Sequence, residues 1–113
     1  MKIVQNPTTL EELINIAKDQ FGDLVKAVVD LDKEILVIGG ELHADEEALL
    51  LEQGGRQEYL WGFNLYPEKP EKEWVEFDSM INIKPSQNNR SGDIENPEIR
   101  EKILEIINKL IVR

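Results

Sequence analysis

Hydrophobic positions recur with two different periods along this chain, and the changes between them predict its elements. Residues 2–5 read as a short strand that Asn6-Pro7 ends. From there apolar residues return every three or four positions, at Leu10, Leu13, Ile14, Ala17 and Phe21, while Glu11, Glu12, Asn15, Lys18 and Asp19 fall between them. At 3.6 residues per turn that spacing gathers one apolar stripe, so a helix is expected. Thr8 with Glu11, or Thr9 with Glu12, has the spacing of a capping box, and Gly22-Asp23 supplies the stop.

The period then shortens to two. Val25, Ala27, Val29 and Leu31 alternate with Lys26, Val28 and Asp30, and residues 34–40 are more continuously apolar, as in a more central strand. The tight connection at Asp32-Lys33 requires an antiparallel pair. Lacking glycine, it predicts a type I turn with a bulge rather than an Asn-Gly turn. Asp45, Glu46 and Glu47 sit where a short helix would start and Gly54-Gly55 where it would stop, with three adjacent leucines between.

Residues 59–66 predict a third strand with Tyr59, Trp61, Phe63 and Leu65 on one face. A Pro-punctuated polar loop follows. Residues 74–77 and 80–84 carry further strand patterns, interrupted at Asp78-Ser79 by a bulge or turn. Residues 85–95 have no apolar period and predict a long loop. Asn96-Pro97 reads as N-cap and first residue of a last helix. Its apolar residues, among them Ile99, Ile103, Ile106, Ile107 and Leu110, form an arc wider than one stripe. Such a helix is expected either to be deeply buried or to meet a second subunit.

The order of elements predicts an α+β fold, one domain over residues 1–113. It has a mainly antiparallel sheet of four to six strands packed against N- and C-terminal helices, and one short additional helix. The terminal helices are expected on the same face. The opposite face is expected to hold the aromatic side chains and any polar site.

Composition narrows the function classes. The chain has 113 residues, 41% hydrophobic and 32% charged, which suits a single domain with one core. Its formal net charge of −10, with no basic patch, argues against nucleic acid and against an anionic membrane surface as partners. There is no cysteine, hence no disulfide and no thiolate chemistry. No secretory pattern opens the sequence and no apolar run reaches membrane-spanning length, so a cytoplasmic location is expected.

The strings GGELHADEE, WGFNLYP, EFDSMINIKP and NRS, in this order, resemble an uncharacterised prokaryotic family of small proteins whose domain has no assigned function. The resemblance spans nearly the whole chain. It implies a single-domain soluble protein and no particular chemistry. No phosphate-binding loop, dinucleotide fingerprint, HExxH, EF-hand or nucleophile-elbow motif is present.

Two polar groups are candidates for chemistry. If the second hairpin strand continues past Gly40, Glu41 and His43 share a face two residues apart, a spacing at which a carboxylate and an imidazole can share a proton or a metal. Gly39-Gly40 would admit a ligand or another backbone closely. With a single histidine and no cysteine, such a metal site would be carboxylate-rich and suit Mg or Mn. The plainer reading is that acids at a helix start complement its dipole. The second group is Asp78-Ser79 with Lys84, Asn88, Asn89, Arg90 and Ser91, a loop able to grip a small anionic ligand through Arg90, or one in which Asp78 holds Arg90 in place.

The expected function is therefore a non-enzymatic binding or protein-interaction module, self-associating through the C-terminal helix or a sheet edge. The alternative is a small enzyme or ligand-binding protein with a polar site built from Glu41, His43, Asp78 and Arg90, with a Mg or Mn ion in its metal-dependent form.

Overall fold

Alternation in the middle strands sends every second side chain to each face of one sheet, and the faces are covered differently. The computed structural model describes residues 1–113. Strands β1 (Lys2–Val4), β3 (Val25–Asp30), β4 (Ile35–Ile38), β5 (Leu60–Leu65) and β6 (Val75–Glu76) form a five-stranded sheet in the order β1-β4-β3-β5-β6, antiparallel throughout. A small second sheet pairs β2 (Thr8–Thr9) in parallel with β7 (Ile111–Val112), which brings the two ends of the chain together. That pairing carries no pattern visible in so short a run.

Helix α1 (Leu10–Asp19) begins where Thr9 accepts the Glu12 N–H, the second of the two predicted capping boxes. Helix α3 (Pro97–Leu110) begins where Asn96 accepts the Glu98 N–H, with Pro97 at the first position. Both lie on one face of the sheet, as expected. Leu13 and Ile103 are each 0% exposed and belong to one cluster with Val25, Ala27, Val29, Trp61, Phe63 and Leu65.

Most of the wide apolar arc of α3 is thus spent inside the chain, while Leu104 is 41% exposed. Ile103, Ile106, Ile107 and Leu110 are buried, and Glu101, Glu105, Asn108 and Lys109 face water. Burial, the first of the two alternatives for that helix, accounts for these four apolar residues. The aromatic residues correct the expectation for the far face. Trp61, Phe63 and Trp74 pack under α1 and α3, because the inward positions of β5 have the parity of Val25, Ala27 and Val29 on its neighbour.

Helix α2 (His43–Glu52) covers the opposite face through a smaller cluster of Val28, Val37, Leu50 and Leu60, making the fold three-layered. The hairpin between β3 and β4 turns without glycine, and Glu34 takes a left-handed φ of 55° to close it. Residues 80–84, expected as a strand, instead form a 3-10 turn over Met80–Asn82 and a single bridge between Lys84 and Asn89.

The reason lies in Asn82. Its side-chain amide donates to the Gly62 carbonyl at 2.9 Å and accepts the Gly62 N–H at 2.8 Å, so one side chain does for β5 what a sixth strand would have done. A Cβ on Gly62 would lie 2.6 Å from Ser79 Oγ, so only glycine lets the turn settle there.

Candidate functional site

Where β4 ends, the chain turns out of the sheet. Gly39 has a φ of +81°, and the strand stops at Ile38, so Glu41 and His43 do not share a strand face. His43 instead opens α2, two residues before the expected start, with Leu42 as its N-cap. Glu41 lines an open cavity of about 530 Å3 on one side of the α2 N-terminus, with Asp45 and Glu52. On the other side lies a cleft of about 350 Å3, lined by His43, Asp78, Lys26, Ser79 and the apolar Leu42, Ala44, Met80 and Ile81.

Of the four residues proposed from sequence, His43 and Asp78 are therefore brought together and Glu41 and Arg90 are not. Arg90 is exposed in the 85–95 loop, lines neither cavity and forms no ion pair with Asp78. Its backbone N–H is held by Glu95.

The rest of that loop is built rather than free. The Asn89 amide donates to the carbonyls of Asn82 and Asp93, each at 2.7 Å, while its oxygen accepts the Glu95 N–H. Lys84 is buried, donates to the Gln57 carbonyl at 2.6 Å and sits 5.0 Å from the Trp61 ring centre. Burial pushes its pKa down. Lys84 and Asn89 are thereby withdrawn from the anion grip expected of them, because each is occupied by backbone groups.

His43 is only 9% exposed, and its Nε2 lies 2.8 Å from the Phe63 carbonyl. A carbonyl oxygen only accepts, so Nε2 carries the proton and, in the neutral ring, Nδ1 carries the lone pair. No group of the chain donates to Nδ1; the ring lines the cleft, with the Asn64 side chain as its other polar neighbour. Burial lowers the His43 pKa from its ordinary value; the Phe63 carbonyl opposes the shift, Lys26 adds to it, and Asp78 and Asn64 oppose it. The ring is an oriented acceptor at neutral pH.

Glu46, one turn on, is fully buried beneath Gly40, whose N–H it accepts at 3.1 Å. Its other oxygen has no partner. Burial pushes its pKa up to about 9, so at neutral pH it is a carboxylic acid rather than a carboxylate. That corrects the dipole explanation for one of the acids at this helix start: exposed Asp45 can complement the dipole, whereas neutral Glu46 contributes no charge to it. Gly40 serves as the close-approach residue the sequence suggested, for Glu46 rather than for a ligand, since a Cβ there would lie 2.6 Å from Glu46 Cγ.

Lys26, Met80 and Asn64 were missed as neighbours of His43. Lys26 and Asn64 pair across β3 and β5 on the α2 side of the sheet. The signal for both was a polar residue at an outward position of an otherwise apolar strand. Asn64 is nearly buried, donates to Glu76 at 2.9 Å, and leaves its own oxygen sealed without a donor. No three histidine or acidic side chains converge closely enough to hold a metal ion, which leaves the Mg or Mn form of the site without a ligand set. No helix is long and apolar enough to cross a membrane.

A family model described as "Protein of unknown function (DUF5674)" matches residues 2–110. The chain belongs to that family, which bears out the resemblance to a family without assigned function. No curated protein matches the chain, and no solved structure does.

Proposed function

We propose that this protein is a non-enzymatic binding module that takes a small molecule into the cleft between the start of α2 and residues 78–81. One observation carries the reading: a nearly buried imidazole is held in a single orientation by the Phe63 carbonyl, and its remaining nitrogen is left unpaired at the cleft. Buried polar groups are normally satisfied, so an aimed and unpaired acceptor is a place for a partner from outside the chain. Apolar surface adjoins it. Leu42 is 58% exposed and Met80 82%.

Binding is favoured over catalysis because the hydroxyl that lines the cleft, that of Ser79, is already used. Ser79 Oγ accepts the Ile81 N–H at 3.3 Å and is packed against Gly62, a capping role rather than that of a free nucleophile. The test is a panel of small carboxylic acids, amines and amino acids, followed by NMR at the His43 ring and the Met80 methyl group. Members that bind are expected to move both signals together. A panel that moves neither at millimolar concentration defeats the reading.

A further inference from the structure

The charges around the cleft and the unpaired backbone groups at its wall define a ligand class, given the binding role proposed above. Helix α2 starts without a side-chain cap at Leu42, and the N–H groups of His43 and Ala44 meet no acceptor in the chain. They head a helix of ten residues, so the dipole places partial positive charge there. Lys26 adds a full positive charge to the same cleft. This side of the cleft suits an anionic group such as a carboxylate.

Asp78, exposed and without an ion pair, supplies the opposite charge. His43 is independent evidence that a donor belongs beside it: the residue is nine-tenths buried, and its open Nδ1 can only accept while the ring is neutral. Between these groups, Leu42, Met80 and Ile81 offer apolar contact. A volume of about 350 Å3 restricts the occupant to a small molecule.

We infer that the ligand is a small zwitterion of the amino-acid type with an apolar side chain. Its carboxylate lies at the first turn of α2 and near Lys26, its ammonium faces Asp78 and His43 Nδ1, and its side chain rests on Leu42 and Met80. This arrangement satisfies each orphaned group in the cleft, which neither a plain anion nor a plain cation does. A plain anion would face Asp78 unpaired, and a plain amine would leave the helix start without an acceptor and Lys26 with only the Phe21 ring, 5.4 Å from its Nζ.

The test compares L-leucine with its two halves, 4-methylpentanoate and 3-methylbutylamine, on the unaltered chain, following the Ala44 amide and the His43 ring by NMR. L-leucine is expected to bind at least about tenfold more tightly than either half, on the scale of one charge-assisted hydrogen bond. The Ala44 amide should move with leucine and the acid but not with the amine. Asp78→Asn should weaken leucine and the amine while sparing the acid, and Lys26→Met should weaken leucine and the acid while sparing the amine.

Either half binding as tightly as leucine would overturn the zwitterion and leave the cleft as a binding site. So would silence with leucine while other panel compounds still move the His43 ring. Silence with every compound overturns the binding role itself. The comparison of the three compounds needs no substitution, so it holds whether or not a variant folds.

Discussion

The two faces of the central sheet share the same strands and differ in what they bury. Under α1 and α3 lies a cluster of 18 buried residues, all apolar, with Trp61, Phe63 and Trp74 among them. Under α2 only four buried apolar residues gather, and the same side of the sheet also takes His43, Glu46 and Asn64 out of water. The first face gains stability from area removed from water. The second gives up part of that gain by desolvating polar groups, two of which retain an unpaired oxygen. The principal core and the proposed binding cleft thereby fall on opposite sides of one sheet.

Substitutions break this comparison most strongly on the apolar face. Phe63→Ala should cost about 3–5 kcal/mol by chemical denaturation, because it opens a cavity in the larger cluster, and Ile103→Ala about 2–5 kcal/mol. A loss below about 1 kcal/mol for both would mean that this face is not the principal core. Asn82→Ala should come next, at roughly 2–3 kcal/mol, because it strands the Gly62 N–H and carbonyl that its amide now satisfies. Hydrogen exchange at Gly62 should accelerate in that variant.

Glu46→Gln sharpens the comparison in the other direction, as a stabilising change on the polar face. Above about pH 4.5 the unfolded chain ionises Glu46, whereas the folded chain keeps it protonated to about 9, so folded stability falls as pH rises through that window. Glutamine can still accept from the Gly40 N–H and does not ionise. It should raise stability at pH 8 on the order of 1–2 kcal/mol and flatten the pH dependence above 4.5. An unchanged slope would show that Glu46 is ionised in the folded protein.

His43 acts with the opposite sign. Its folded pKa lies below the ordinary histidine value, so the stability linked to the neutral ring is present at pH 7 and above. It is lost as pH falls from about 6.5 toward the folded value. A His43→Gln variant should lack that acid-side loss. The smallest effect on stability is expected from Met80→Ser, within about 0.5 kcal/mol, since the side chain is 82% exposed. A much larger loss would mean that Met80 is part of the core.

Much of the fold was legible because its signals are local. The Asn96-Pro97 start of α3, the Thr9–Glu12 box of α1 and the alternation of Val25, Ala27 and Val29 each reflect backbone geometry within a few residues. The site was legible only in part. His43 and Asp78 were singled out and meet, but the partners proposed for them, Glu41 and Arg90, lie elsewhere, and Lys26 and Met80 stand in their place. Residues 80–84 have the composition of a strand without forming one. Asn82 supplies the pairing instead, through its side chain, which no hydrophobic period can report.

By itself, the order of residues determined an α+β domain, an antiparallel sheet, helices at both ends with one apolar face each, and an acidic surface without thiols. These follow from periodicity, capping chemistry and charge, all readable a few residues at a time. Tertiary structure alone decided that His43 would reach the Phe63 carbonyl, that Glu46 would be sealed beneath Gly40, and that Lys26 and Asp78 would share a cleft. Those meetings join residues from 6 to 52 positions apart. They depend on where α2 leaves the sheet and on strand register, where a shift of one residue would send every side chain to the other face.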